Sequence, residues 1–385
     1  MRHNKISFII LILMDGNLFM RRSILAFIQT RKNPLVFRHT SYQRNNNIGS
    51  GLISKTTTCR YFFSDDGTND EKVENQIITR IQARDKAIEW CKFHNIPEPE
   101  ESVHHLLAHA LNLPYETGYQ QIRQLSKYLE KDSEAVSKKE YECFHSLLQR
   151  RKNHEPLQYL IEKWDFIDFT LEVKAPLLCP RPETEELVLL VEEEIRLRSE
   201  EEGGQFQRIL DVGCGTGVIG IALAYHIPEL QVTAIDIEPV AVEVSNRNAQ
   251  YILPATKKSS SYEALLSSAA DFVVPPSTPL FDCIVSNPPY IPKEDMRSLE
   301  KTVVEFEAWQ ALCGGDDDDD GLEVIKQILQ KLTTWLKLGG SCWMEVDPSQ
   351  PKKLSEQLSS ISSCIELKSV YQDMSGRDRF VRFVR

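Results

Sequence analysis

The sequence lacks the cysteine and histidine spacings that form structural zinc sites. Its nine cysteines include no C-x-x-C pair, and none is paired with histidine at a zinc-finger spacing. Hydrophobic residues make up 41% of the 385 residues, so the chain is able to bury a core without disulfide bonds. We therefore expect no metal site, and we expect reduced, mostly buried thiols.

Outside the first sixty positions, basic residues are outnumbered by acidic ones. Residues 1–60 contain ten Lys or Arg and one acidic residue, whereas the rest of the chain contains 35 basic and 55 acidic residues. This balance argues against a protein that grips nucleic acid mainly through phosphates. Long apolar runs are also absent: the run at residues 6–14 falls far short of the roughly 20 residues that cross a bilayer. We expect neither direct nucleic-acid binding nor membrane insertion.

The leader, residues 1–63, is rich in Arg, Ser, Thr and Asn and nearly free of acidic residues. That composition is typical of an organelle transit peptide. Residues 20–31 predict a short basic amphipathic helix of the kind that directs import into the mitochondrion. Residues 60–64, Arg-Tyr-Phe-Phe-Ser, predict an Arg-led processing site. A plastid address and a disordered extension without function are the alternatives.

Helical periodicity dominates residues 72–153, which we expect to form a small bundle of about four helices. Residues 137–140, Ser-Lys-Lys-Glu, have the form of a capping box that opens a helix toward Gln149. His105 and His109 lie one helical turn apart, but no H-E-x-x-H motif accompanies them, so we expect a solvated helix face. One apolar helical stripe comprises Val103, Leu106, Leu107, Ala110 and Leu111.

From residue 207 the pattern changes to strands that alternate with helices. This order predicts an α/β fold with a mostly parallel, doubly wound sheet at residues 207–385, joined to the helical domain by a linker at residues 154–206. Ligands of such sheets bind at the carboxyl ends of the strands. The predicted strands are residues 208–212, 231–236, 281–286 and 340–346.

A glycine loop follows the first of these strands, and the second strand ends in Asp236. Glycines allow a ligand to approach the backbone and leave a helix N-terminus facing it, while the acid can accept ribose hydroxyls. The nicotinamide fingerprint G-x-G-x-x-G fails, because Val218 stands at its third glycine. A tight turn without ligand is one alternative. The spacing resembles the S-adenosylmethionine loop of class I methyltransferases, which implies cofactor contacts at Asp211, Gly213, Cys214, Gly215, Thr216, Gly217 and Asp236.

The sequence Asn287-Pro288-Pro289-Tyr290 follows the third predicted strand directly. The prolines fix the backbone, so Asn287 is held at a strand end. Its side-chain oxygen and the Pro288 carbonyl can each accept one hydrogen of a planar NH2 group, which orients that nitrogen toward a methyl donor. Tyr290 offers an aromatic face for the substrate or a cationic sulfonium. We predict that Asn287, Pro288 and Tyr290 are catalytic and that all four residues bind substrate; a plain proline-rich turn is the alternative.

Together with the glycine loop, the N-P-P-Y sequence looks like that of the amino and amide N-methyltransferases. Residues 155–160, 179–188, 339–350 and 373–380 further resemble the HemK/PrmC family. The resemblance covers about residues 75–385 and implies a class I S-adenosylmethionine-dependent methyltransferase fold with a helical domain that helps to grip the substrate. It also implies methyl transfer to the N5 amide nitrogen of the glutamine in the Gly-Gly-Gln motif of peptide chain release factors, in support of translation termination. We expect a monomer.

The same resemblance places Asp271 and Phe272 beside the adenine and gives Asn287 a cofactor contact as well. The segment that contains Arg181 and Glu185 would lie near the cofactor and substrate entrance, although a surface ion pair between these two is an alternative.

The sequence departs from the family pattern at four places. Glu162 stands at a usual glycine, and Glu307-Ala308 replaces a usual Glu-Pro. Residues 254–280 are rich in Ser and Pro, and the aspartates at 316–320 lengthen a segment that we expect to be a solvated loop before a helix N-terminus.

Methylation of an adenine or guanine amino group in DNA or RNA through the same corner is the alternative activity. Such an enzyme must extract a base and usually carries a basic groove, which the acidic body of this chain argues against. A cofactor-binding module without activity is a further alternative, and the intact Asn287 and Tyr290 argue against it.

Overall fold

The structure, a computed structural model, describes residues 78–113, 125–129, 135–202, 207–256, 259–315 and 320–385. The predicted leader and four of the five aspartates at residues 316–320 lie outside the described residues. Within the described part of the chain, no helix is both long enough and apolar enough to cross a membrane.

The first described segment is helical. Helices α1 (Arg80–Phe93) and α3 (Lys138–Lys152) both begin with a capping box, formed by Thr79 with Gln82 and by Ser137 with Glu140. The second of these is the capping box that the sequence predicts. The apolar sides of the helices meet in one buried cluster. The helices are α1 (Arg80–Phe93), α2 (Pro99–Ala110), α3 (Lys138–Lys152) and α4 (Leu157–Ile161), and residues 125–129 are also helical.

The expectation of a solvated face at both histidines of α2 is wrong for His105. His109 is exposed, but His105 is buried, with its ring 5.8 Å from that of Trp164. Burial lowers the pKa of His105 to about 4, so the imidazole is neutral. The helix packs against α1, α3 and α4, so more than one stripe of its surface is covered.

The region predicted as a linker is folded. It contains an antiparallel hairpin of β1 (Lys163–Phe166) and β2 (Phe169–Glu172), and the long helix α5 (Pro182–Glu202). Phe166 of the hairpin and Leu187 of the helix belong to the same buried cluster as Ile209 of the main sheet. Residues 163–202 therefore pack as part of the α/β core.

In the described part of the chain, the main sheet has seven strands: β3 (Arg208–Val212), β4 (Gln231–Asp236), β5 (Ser261–Leu266), β6 (Phe281–Ser286), β7 (Leu336–Glu345), β8 (Glu366–Gln372) and β9 (Asp378–Val384). Their order in the sheet is β5-β4-β3-β6-β7-β9-β8, and β9 is antiparallel to both of its neighbours. This confirms the predicted mostly parallel, doubly wound sheet, and the four predicted strands are β3, β4, β6 and β7.

Helices cover both faces of this sheet. Helices α5, α6 (Val218–His226) and α7 (Pro239–Ile252) contribute to one buried cluster, and α10 (Glu323–Trp335) and α11 (Gln350–Ile361) contribute to the other. All eight described cysteines are free, and six of them are buried, as the sequence predicts. The remaining helices are α8 (Lys301–Val304) and α9 (Trp309–Leu312), with short 3₁₀ turns at Leu253–Thr256 and Asp295–Ser298.

The direction of strand order reverses between β3 and β6. The chain goes outward from β3 to β4 and β5, and then returns to place β6 on the other side of β3. In this parallel pair, Val212 lies opposite Ser286. The glycine loop and the Asn287 corner, which follow these two residues, therefore leave the sheet side by side, at the point where doubly wound sheets bind ligands.

Candidate active site

A cavity of about 330 Å³ opens at the carboxyl ends of β3, β4 and β6. This volume lies at the lower end of the range for small-molecule sites. The glycine loop lines one side and the Asn287 corner lines the other. Residues 176–181 contribute further walls, as do Ala308, Gln310 and Ala311. The structure therefore brings the two sequence motifs to one site.

The first two glycines of the loop leave room for a ligand. Gly213 and Gly215 adopt φ angles of +71° and +54°, and no atom lies within 4 Å of the position that a Cβ would occupy. Gly217 is different, since a Cβ there would lie 2.7 Å from the side chain of Ile221 and 2.9 Å from that of Ser245. Gly217 does not line the cavity; it allows α6 to begin close to its neighbours.

Asp211 also lies outside the cavity wall. Its buried carboxylate accepts a 2.9 Å hydrogen bond from the backbone N–H of Gly220 in the first turn of α6. Burial raises the pKa of Asp211 to about 7. The side chain thus ties α6 to β3 and holds the loop between them in shape.

Asp236 lines the cavity at the end of β4. One carboxylate oxygen accepts a hydrogen bond from the N–H of Gly215 and the other accepts one from the N–H of Glu238, each at 2.9 Å. Burial raises the pKa of Asp236, and these two hydrogen bonds oppose the increase. A carboxylate has about four acceptor sites, so both oxygens retain capacity for ligand hydroxyls.

A hydrogen bond to Thr184 orients the Asn287 side chain. Its Nδ2 donates to Oγ1 of Thr184 at 3.0 Å, and Thr184 donates in turn to Glu345 at 2.9 Å. Asn287, Pro288, Pro289 and Thr184 all line the cavity. The hydroxyl of Ser286 donates to the Val212 carbonyl at 2.7 Å and joins the corner to β3.

Tyr290 does not line the cavity. Its hydroxyl donates to Glu345 at 3.0 Å, and the guanidinium of Arg379 lies 5.8 Å from its ring centre. Burial raises the pKa of the phenol far above its usual range. The structure thus places Tyr290 behind the corner, whereas the sequence predicted an aromatic face toward the substrate.

Arg181 pairs with Glu307, and not with Glu185. One nitrogen of Arg181 lies 2.7 and 2.8 Å from the two oxygens of the buried Glu307 carboxylate. Glu185 instead accepts from the backbone N–H of Ile167. The pair joins two walls of the cavity, so the surface ion pair considered from the sequence is wrong.

Phe272 is the third predicted cofactor residue outside the cavity wall. Its ring packs edge-on against Trp335 at 5.7 Å, and its carbonyl accepts from the Trp335 indole. The Asp271 carboxylate accepts from Ser268 at 2.6 Å. The residues after β5 that do line the cavity are Ser267, Ser268 and Ala269, together with Ile237 and Glu238 after β4. Sequence reasoning missed these five. The residues at 267–269 are small and lie in a Ser-rich segment without a distinctive signal, and Ile237 and Glu238 belong to no motif of their own.

Two family models match the chain. The Methyltransferase small domain matches residues 195–312, and the PrmC N-terminal domain matches residues 82–161. The first match contains both the glycine loop and the Asn287 corner, and the second lies within the helical segment.

Curated relatives match most of the chain. The human MTRF1L release factor glutamine methyltransferase is 34% identical over 292 residues, which are 75% of this chain and 82% of that protein. The release factor glutamine methyltransferase of Leptospira interrogans is 32% identical and matches over 81% of this chain and 99% of its own length. That of Clostridium botulinum is 30% identical, over 64% of this chain and 82% of its own length.

Proposed function

Since the chain belongs to the family of release factor glutamine methyltransferases, we propose that it methylates the N5 amide nitrogen of the glutamine in the Gly-Gly-Gln motif of a peptide chain release factor. The observation that carries the proposal is the adjacency of the glycine loop and Asn287 on the paired strands β3 and β6. S-adenosylmethionine supplies the methyl group on a cationic sulfonium. The substrate amide is a weak nucleophile, so its position and polarisation govern the rate.

The donor side of the site consists of the glycine loop and Asp236. The open backbone at Gly213 and Gly215 accommodates the amino-acid part of the cofactor, and Asp236 accepts the ribose hydroxyls. This proposal is supported by the open space beside Gly213 and Gly215, where no atom lies within 4 Å of a Cβ position, and by the Asp236 carboxylate on the cavity wall. Ile237 and Ala269, on the same wall, supply apolar contacts to the adenine.

The acceptor side consists of Asn287 and Pro288. The substrate amide donates one hydrogen to Oδ1 of Asn287 and the other to the Pro288 carbonyl. Both acceptors would hold the nitrogen in place and favour its pyramidal form, so that its bond to the methyl carbon would form as the carbon–sulfur bond breaks and the nitrogen would give up one of its two protons. Support comes from the orientation of the Asn287 amide, whose Nδ2 is engaged by Thr184.

The helical segment is the proposed grip on the release factor. The PrmC N-terminal domain model covers residues 82–161. Helix α4 of this segment contacts β1 of the hairpin, and the hairpin packs into the core cluster of the sheet. A protein bound to the helices would therefore have a fixed position relative to the cavity.

Mass spectrometry of a release factor after incubation with the full chain and S-adenosylmethionine tests the proposal. A mass increase of one methylene group, confined to the Gly-Gly-Gln peptide, is the expected result. Transfer to nucleic acid in a parallel reaction, with none to the release factor, would favour the adenine or guanine alternative. Binding of the cofactor without transfer to either substrate would contradict both activities.

Asn287→Ala is expected to lower kcat by about 100-fold or more, the usual cost of a lost electrostatic contact in a transition state. S-adenosylhomocysteine binding, measured by calorimetry, should remain. Asn153→Ala, at an exposed asparagine at the end of α3, is the matched control and should keep full activity. Full activity of Asn287→Ala would refute the assigned role.

We also propose import into the mitochondrion, on the basis of the basic, acid-poor composition of residues 1–63. Fusion of these residues to a fluorescent protein is expected to direct it there, and replacement of their arginines by glutamine should abolish import. Accumulation in plastids or in the cytosol would overturn this assignment.

A further inference from the structure

A chain of buried hydrogen bonds lies behind Asn287. Its Nδ2 donates to Oγ1 of Thr184 at 3.0 Å, and Oγ1 of Thr184 donates to Oε2 of Glu345 at 2.9 Å. The other carboxylate oxygen accepts from the hydroxyl of Tyr290 at 3.0 Å. Thr184 and Glu345 are only 4% and 2% exposed, so water does not compete for these bonds.

The direction of each bond in this chain is fixed by chemistry. Burial raises the pKa of Glu345, and the hydrogen bonds from Thr184 and Tyr290 together with the charge of Arg379 oppose that rise. In its ionised form the carboxylate only accepts hydrogen bonds, so the single proton of the Thr184 hydroxyl points to Glu345. The Thr184 oxygen is then an acceptor toward Asn287. The Asn287 amide has an oxygen, which accepts hydrogen bonds, and an NH2 group, which donates them. The NH2 arm therefore faces Thr184, and the oxygen arm is left for a ligand in the cavity.

The opposite orientation of the amide would disable the site. It would present two N–H donors to a substrate NH2 group, which itself only donates here. An asparagine amide is nearly symmetrical in shape, so packing alone discriminates poorly between the two orientations. The opposite orientation would leave the buried Thr184 oxygen without its donor, which costs about 1–3 kcal/mol, enough to favour one orientation by about fivefold or more.

We propose that Thr184 and Glu345 are positioning residues, which select the Asn287 amide orientation that accepts a hydrogen from the substrate. The proposal rests on the proposed function. It also accounts for the position of Tyr290, which donates to the second oxygen of Glu345 and so compensates that buried charge. The Arg379 guanidinium beside the Tyr290 ring supports the charge further.

The distinguishing experiment compares Thr184→Val with Thr184→Ser in the full chain. Valine keeps the shape of threonine but removes the hydroxyl, whereas serine keeps the hydroxyl. Thr184→Val is expected to lower kcat for release factor methylation by about 10- to 100-fold, while the KM for S-adenosylmethionine and the Kd for S-adenosylhomocysteine change little. Thr184→Ser is expected to recover most of the loss.

A double-mutant cycle with Glu345→Gln separates positioning from general stability. Both substitutions act on the same amide, so the double variant should be about as slow as the slower single variant. If the fall in kcat of the double variant equalled the product of the falls in the two single variants, the inference would be overturned. A fall in the kcat of Thr184→Val that is matched by a fall in its free energy of unfolding in urea would also overturn the inference. A fall in kcat that Thr184→Ser shows equally would do the same.

The side-chain 15NH2 signal of Asn287 gives a readout that needs no turnover. It is assigned by its loss in Asn287→Asp. In the wild-type chain one of its hydrogens should exchange slowly with solvent, and in Thr184→Val both should exchange fast. If the wild-type chain methylated no release factor, the proposed function would fail, and this signal would still decide the orientation of the amide. Equal exchange in the two proteins would overturn the inference.

Discussion

His226→Gln is expected to destabilise the protein at pH 6 more than at pH 10. His226 lies at the C-terminal end of α6, with Nδ1 against Glu192 of α5 and Nε2 3.0 Å from Asp168 of the β1–β2 turn. Burial by itself lowers the pKa of this imidazole, but the hydrogen bonds to the two carboxylates outweigh it and raise the pKa to about 9. The protonated ring therefore connects the hairpin and α5 to the helix that follows the glycine loop.

The magnitude follows from linkage between protonation and folding. A rise of the pKa from 6.5 to about 9 corresponds to at most about 3 kcal/mol of stability. Half of the Asp168 side chain is exposed, so solvent screening reduces this to about 1–2 kcal/mol. Since the pKa is higher in the folded state, the stabilisation is fully present below about pH 6.5 and is lost as the pH rises through 9.

Urea unfolding of the wild type and of His226→Gln at pH 6 and pH 10 measures the effect. The difference in free energy of unfolding between the two proteins should be about 1–2 kcal/mol at pH 6 and should shrink at pH 10. Asp168→Asn, which removes one carboxylate, should give a smaller difference of the same sign. An equal difference at both pH values, or an imidazole that titrates near 6.5 by NMR, would refute the reasoning.

Three further substitutions test other parts of the structure. Gly220→Ala should weaken S-adenosylhomocysteine binding in calorimetry, because the added methyl would lie 2.9 Å from the Asp211 carboxylate and overpacking costs about 1–3 kcal/mol. Glu162→Gly should raise the free energy of unfolding in urea by up to about 1 kcal/mol, because Glu162 ends α4 in the left-handed region, at a φ of +58°, which glycine adopts without strain. Glu162→Ala keeps the backbone strain and should not raise the free energy of unfolding. Arg181→Met should lower the free energy of unfolding in urea by about 2–4 kcal/mol, because this substitution leaves the Glu307 carboxylate buried without its cation.

Four strands of the sheet could be predicted from the sequence, whereas the two edge strands and β9, which lies beside one of them, were not. Strands β3, β4, β6 and β7 are central or nearly so, and their apolar runs with turn residues at both ends are strong signals. In the edge strand β5, Ala264 is the one buried residue, so no apolar alternation identifies it. The other edge strand, β8, alternates between exposed and intermediate residues and has no buried position.

The two motifs of the site were predictable because each is local in sequence. The glycine loop and the Asn287 corner are short segments, and the residue types and spacing within each segment predict its function. The residues that hold them were not predictable, because their partners are remote: Thr184 and Glu345 are 161 positions apart, and Arg181 and Glu307 are 126 apart. Only the folded chain brings these side chains together.

The pairing of β3 with β6 divides the site into two halves that are built independently. The donor half follows β3 and β4, the acceptor half follows β6 and β7, and adjacent strands set them about 4.8 Å apart. The connection between β5 and β6 leaves the sheet at its far edge, so a change in its length leaves this separation intact. Evolution or design is thus free to lengthen that loop after Ala269, the last of its residues on the cavity wall, or to exchange the acceptor half for one that suits another nitrogen, without rebuilding the donor half.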